Sequence, residues 1–177
     1  MPRITKAARD AVRVRLTDAA HGFNAAMAAV APGYGVEAIA LDFTAAGKRF
    51  FEGFVHPDQV ENSTSVRYPI AMLYGTIAQN RNLTKHAAFS GQAQVIFQVW
   101  LSWRKGNAVA NTEDLADAVE DALVRVFQDH AWAAAYTEPL VYNGDLTVAR
   151  AQLEQSGEHW RQGITARLTF EVDTADV

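Results

Sequence analysis

The strongest constraint in this sequence is an alternation near its end. From Trp160 to Asp173, Ile164, Ala166, Leu168, Phe170 and Val172 fall on one parity, and Thr165, Arg167, Thr169, Glu171 and Asp173 on the other. Side chains of a β-strand point to opposite faces in turn, so a period of two over this length defines a half-buried antiparallel strand. Such a strand needs partners beside it and a layer to cover its apolar face. Residues 145–154 form a preceding strand, joined through the turn Ser156-Gly157-Glu158 into a C-terminal hairpin. Residues 92–103 form another long strand, with Val95, Phe97, Val99 and Leu101 on one side and Ile96, Gln98, Trp100 and Ser102 on the other. Both of its sides are partly apolar, which suits a strand covered on both faces or placed near a subunit contact.

The covering layer is helical. Across residues 4–30, Val12, Leu16, Ala19, Phe23, Met27 and Val30 recur at steps of three and four, the spacing of one helix face, and Pro32-Gly33-Tyr34-Gly35 ends the segment. A second helix starts at Asn111 or Thr112 as N-cap, with Glu113 and Asp114 in the first turn where the helix dipole favours anions. Leu115, Val119, Ala122, Leu123, Val126 and His130 form its apolar stripe, and Glu113, Asp117, Glu120 and Asp121 its solvent side. Between the helices, residues 36–43 and 49–55 read as a hairpin turning at Ala45-Ala46-Gly47-Lys48, and residues 56–65 as a polar loop. Pro69 and Gly75 reduce residues 66–79 to an edge strand or irregular extended segment, followed by a polar connector over 79–84. The order predicts an α+β fold, a mainly antiparallel sheet flanked by two helices, in a single domain over residues 1–177.

Composition narrows the functional classes. The chain has no cysteine, which excludes disulfides, thiolate metal centres and a cysteine nucleophile. Its net charge of −4 does not suit a protein that grips nucleic acid through bulk positive charge. No run reaches the ~20 apolar residues that span a bilayer, and no apolar segment follows the basic start Met1-Pro2-Arg3 as in a signal peptide. Folding in a reducing cytoplasm is the expectation.

Motifs for chemistry are sparse. Gly33-Tyr34-Gly35 lacks the third glycine of a dinucleotide loop and follows a helix, not a strand. His21, His56, His86, His130 and His159 show no metal-ligand spacing, and His130 suits a structural role near a helix C-terminus. Ser90 lies outside any nucleophile-elbow pattern. The pairs Glu113-Asp114 and Glu120-Asp121 lie on a solvated helix face and do not read as a catalytic dyad. The expectation is therefore no catalytic residue, cofactor or metal. A soluble enzyme or ligand-binding domain, with a site assembled from scattered residues, is the alternative from another class.

Charge and aromatic placement point to surfaces. Arg3, Lys6, Arg9, Arg13 and Arg15 crowd the first segment against Asp10, and acids crowd 113–121, so the two faces could complement each other on neighbouring subunits. Phe50, Phe51, Phe54, Tyr68 and Tyr74 gather in the least regular part of the chain, where aromatics can anchor an interface. The candidate protein-interface residues are Phe50, Phe51, Phe54, Tyr68, Arg81, Asp117, Glu120 and Asp121. Trp100, Trp103, Trp132 and Trp160 read as core or subunit-contact residues.

One succession of residues resembles a known family. It runs from Phe89-Ser90-Gly91 through the strand Gln94-Val95-Ile96-Phe97-Gln98-Val99-Trp100 to the helix that begins Asp114-Leu115-Ala116-Asp117. Val148-Ala149-Arg150-Ala151 follows, and the last strand opens with His159-Trp160-Arg161-Gln162-Gly163-Ile164 and closes with Phe170-Glu171-Val172. This order of elements, with a leading helix ahead of it, resembles the tail terminator (tail completion) proteins of long-tailed bacteriophages over residues 89–173. The resemblance implies a structural protein without cofactor or catalytic residue, acting in the virion tail and assembled in the bacterial host cytoplasm. Its implied partners are copies of itself in a hexameric ring, the tail tube protein and the head–tail connector protein, with no membrane. The ring would cap the tube, stop its polymerisation and offer the surface for head joining. An acidic lumen would let DNA pass without specific binding. The Phe-rich segment and polar loop over residues 45–65 depart from the family pattern, and another phage neck or connector protein is the nearest alternative.

Overall fold

The computed structural model describes residues 4–44, 49–61, 68–80, 90–104, 112–136 and 140–173. In chain order the elements are α1 (Ile4–Thr17), α2 (Phe23–Val30), β1 (Phe50–Phe51), α3 (Pro57–Glu61), β2 (Ile70–Asn80) and β3 (Ser90–Arg104), followed by α4 (Thr112–Phe127), α5 (His130–Ala134), β4 (Leu140–Arg150), β5 (Glu154–Ser156) and β6 (His159–Asp173). The fold is α+β. Its six-stranded sheet has the order β1-β2-β3-β6-β4, with β5 hairpinned onto β6. Every pairing is antiparallel except β1 with β2. β6 is an interior strand between β3 and β4 and is half-buried, as its alternation requires: Ile164, Ala166, Leu168, Phe170 and Val172 are all buried on the face carrying the helices. Burying one such side chain removes enough apolar surface to contribute about 1.5–3 kcal/mol, and this face is the main core. Phe97 is fully buried at its centre, with Phe23 of α2 edge-on at 6.0 Å.

Several elements differ from the sequence reading, each for a local reason. The helix expected over 4–30 breaks after Thr17. There Asp18 accepts hydrogen bonds from the amides of Ala20 and His21, which satisfies the donors of a turn rather than a helix. Gly22 makes the return possible, because a Cβ there would lie 2.4 Å from the carbonyl oxygens of Leu16 and Asp18. Residues 36–43 form no strand and join no ladder; Asn24 on α2 holds them instead, its amide bonding both N–H and C=O of Leu41. The expected hairpin is thus absent: β1 has two residues and pairs parallel with β2. The turn Ala45-Ala46-Gly47-Lys48 lies outside the described residues, as do residues 62–65 of the expected loop, whose earlier part holds α3.

β2 is an eleven-residue strand with a bulge between Gly75 and Ile77, and from Leu73 onward it is an edge strand among the described residues, one of the two expected forms. Pro69 precedes it, where a missing N–H costs the ladder nothing, and Gly75 sits where α1 comes closest, a Cβ there lying 3.0 Å from Cβ of Thr5. The helix stripe expected to end at His130 ends at Phe127. Asp129 caps a new helix by accepting from the amides of Ala131 and Trp132, and His130 is exposed on α5. The strand expected over 145–154 begins earlier, at Leu140, and bulges between Tyr142 and Leu146. The sheet is therefore flanked by more than the two expected helices: α1, α2 and α4 pack on one face and α3 on the other.

Candidate functional site

The face away from the main helices is built from alternate residues of β2, β3 and β6. At one end Ile70, Met72 and Trp100 form a small second core with Val60 of α3, and Phe51, Val55, Tyr68 and Tyr74 pack around it. The indole of Trp100 lies flat over Gly163, where a Cβ would come within 3.1 Å of the ring. A glycine is needed there for space, not for backbone freedom. Toward the other end the same face turns polar. Gln98 donates to Thr165 Oγ1 at 3.2 Å, Thr76 Oγ1 lies 3.4 Å from Gln94 Oε1, and Arg167 is exposed. Phe54 rims this area with 59% of its surface exposed, its ring edge-on to Tyr74 at 5.5 Å.

The sequence-predicted interface residues fall into two groups on opposite faces of the sheet. Phe51 and Tyr68 belong to the small second core, and Phe54 stands at its rim. Phe50 is in the main core, edge-on to Phe43 at 5.3 Å. Arg81 lies outside the described residues. Asp117, Glu120 and Asp121 are on α4, and all three have partners within the chain. Arg150, at the end of β4, donates through Nε to Glu120 at 2.8 Å, through Nη1 to Glu113 at 2.6 Å and through Nη2 to Asp117. The hydrogen bond to Glu120, ahead of that to Asp117, holds its guanidinium above the ordinary range despite partial burial. Asp121 accepts from the Tyr34 hydroxyl, which raises the Tyr34 pKa.

Arg150 is the residue that sequence reasoning missed. The signal was present as three acids at positions 113, 117 and 120, one helix face of α4, which a cation reaching from outside can gather. The cation's place at a strand end was legible only once β4 was known to lie beneath α4. The basic segment is likewise engaged internally. Lys6 pairs with Asp10 and Arg13 with Glu52. Arg15 is buried, donating to Val126 C=O at 2.9 Å and Asp129 at 2.7 Å under the Trp132 ring. That contact lowers the Asp129 pKa, with Arg15 as the leading cause.

A cavity of about 570 Å³ lies between α5 and the β4 bulge. His130, Tyr136, Tyr142 and Asn143 line it, with Asp129 at its margin. Burial raises the Tyr142 pKa far above the normal tyrosine range, so its phenol stays protonated. The histidine here is exposed and the carboxylate is committed to Arg15 and the α5 cap. Among the described residues no group of three or more His, Asp or Glu side chains is placed to hold a metal, and no helix is long and apolar enough to cross a membrane. Large exposed hydrophobic residues among them are single ones, Val14, Phe54 and Leu153, and form no broad patch. The chain matches no known family model and no curated protein.

Proposed function

We propose that this chain is an assembly subunit, a bacteriophage tail terminator that forms a ring, caps the finished tail tube and offers the surface for head joining. Its partners in this reading are its own copies in a ring of about six, as the resemblance implies, with the tail tube protein below, the connector protein above, and DNA passing through an acidic lumen. The observation that carries it is a sheet whose margins are open among the described residues: β4 is there an outermost strand of eleven residues, and α3 is seen to cover one end of one face. Unpaired strand edges are templates for pairing with other chains, which an assembly subunit can use. The resemblance over residues 89–173 is what suggests this particular kind of assembly.

The test is light scattering over a concentration series, with negative-stain images of the largest species. A closed ring with a central hole supports the proposal. A strict monomer that also fails to cap the ends of added tail tubes overturns it.

A further inference from the structure

We infer that copies of this chain join edge to edge, with β4 of one subunit pairing with the open length of β2 in the next, so that a single antiparallel sheet continues through the assembly. This deepens the ring reading and rests on it. Three observations carry it.

The first is that the sheet has two usable edges. β1 covers only Ala71 and Met72 of β2, so from Leu73 to Asn80 that strand has no outer partner strand among the described residues. Among the described residues β4 pairs only with β6. Neither lysine nor proline, which commonly blunt an edge, occurs in Leu140–Arg150 or in Ile70–Asn80; each strand carries one bulge, between Tyr142 and Leu146 and between Gly75 and Ile77, and pairs regularly on either side of it. The second is direction. β2 and β6 run one way, β3 and β4 the other. Set beside the β2 of an identically oriented neighbour, β4 continues the antiparallel alternation, and the helices stay on the same side. Two different surfaces then meet, which is the heterologous contact that closes rings.

The third is charge. α4 overlies the β4 side and carries Glu113, Asp114, Asp117, Glu120 and Asp121, against which Arg150 sets one cation. α1 overlies the β2 side; there Lys6 pairs with Asp10, Arg13 with Glu52 and the buried Arg15 with Asp129, which among the described residues leaves Arg9 as its cation for an intersubunit contact. Edge pairing brings α4 of one copy toward α1 of the next. Asp114 is exposed, and Arg9 Nε is buried without a hydrogen-bond partner among the described residues. Arg150 also fastens the end of β4 to α4, so the docking strand is ordered before it binds, which lowers the entropic cost of association.

The absence of cysteine makes the test free of background. Thr147, Arg167, Ile96 and Tyr74 lie in one row across β4, β6, β3 and β2. Thr147 and Thr76 are both exposed on the face away from the main helices, so Thr147→Cys and Thr76→Cys leave the core untouched. Within one subunit they are separated by three strand spacings, about 14 Å, beyond a very short bismaleimide. Treated with that reagent, the Thr76→Cys/Thr147→Cys variant is expected to give a ladder of covalent multimers ending at the closed species, and each single variant none. Dimers from Thr147→Cys alone would show β4 pairing with β4 and overturn the inference. A ring by light scattering with no crosslinked ladder overturns the edge contact and leaves the ring reading standing. A monomer with no crosslink at any concentration removes both.

Discussion

Under α1, α2 and α4, Val95, Phe97, Val99 and Leu101 of β3 lie beside Ile164, Ala166, Leu168 and Phe170 of β6, all buried. On the opposite face the same two strands set Gln94, Ile96, Gln98 and Trp100 against Gly163, Thr165, Arg167 and Thr169. One pair of strands thus makes a continuous core on one side and a mixed surface on the other. Since burial of apolar area dominates folding free energy, the helix-covered face carries the stability. Among the described residues the mixed face is covered by α3 near Trp100, while Thr76, Thr147 and Arg167 on it are exposed.

The largest effect expected is at the centre of the covered face. Phe97→Ala should destabilise the chain by about 3–5 kcal/mol, through lost apolar burial and the cavity left behind. Urea unfolding measures it, and a loss below about 1 kcal/mol would show that the two faces do not differ as described. Next comes the buried ion pair at the helix ends. Arg15→Met should cost about 2–3 kcal/mol, since it strands the Val126 carbonyl and the Asp129 carboxylate, with some relief because Asp129 is partly exposed. This contact also sets a pH dependence. The Asp129 carboxyl is lowered from an ordinary value of 3.8, so its contribution is present above that value and is lost as pH falls below it. The urea midpoint should therefore fall on acidification below about pH 4, and fall less steeply in Arg15→Met than in the parent chain. Equal slopes would exclude the pair as the source.

Arg150→Met tests the acidic side of the same layer. It leaves Glu113, Asp117 and Glu120 without their shared cation, and mutual repulsion should cost about 1–2 kcal/mol, since all three acids are partly exposed. The loss should grow at low salt, where repulsion is less screened. A salt-independent loss would point to packing of the arginine stem instead.

What the sequence made legible was periodic. The alternation of β6, the two-sided β3 and the stripe of α4 were all readable, because each residue's face follows from the backbone repeat alone. Breaks in a repeat were hidden because each depends on a specific side-chain bond. Asp18 stops α1, Asn24 replaces a strand pairing for residues 36–43, and Asp129 restarts a helix where the apolar stripe alone would run on to His130. Of the candidate interface residues, Phe54 alone among the aromatics stands exposed, while Phe50 reads the same in sequence and is core. Which phenylalanine of a cluster faces out is decided by a two-residue parallel pairing that no local pattern encodes. Arg150 was invisible for the converse reason, since its three partners come from an element 30 or more residues earlier.

The smallest effect expected is also the most discriminating between the faces. Gln98 lies on the mixed face, half-buried, with Nε2 bonded to Thr165 and Oε1 buried without a hydrogen-bond partner among the described residues. A buried acceptor with no partner carries an uncompensated desolvation cost, so an apolar side chain of similar shape can relieve it. Gln98→Met gives up the bond to Thr165 and removes the unsatisfied oxygen, and Thr165 Oγ1 keeps the freedom to rotate toward water. The net change in stability should lie within about 1 kcal/mol and tend toward stabilisation. A loss as large as that of Phe97→Ala would mean that the mixed face is as closely determined as the core, and that no part of it was left free for a partner.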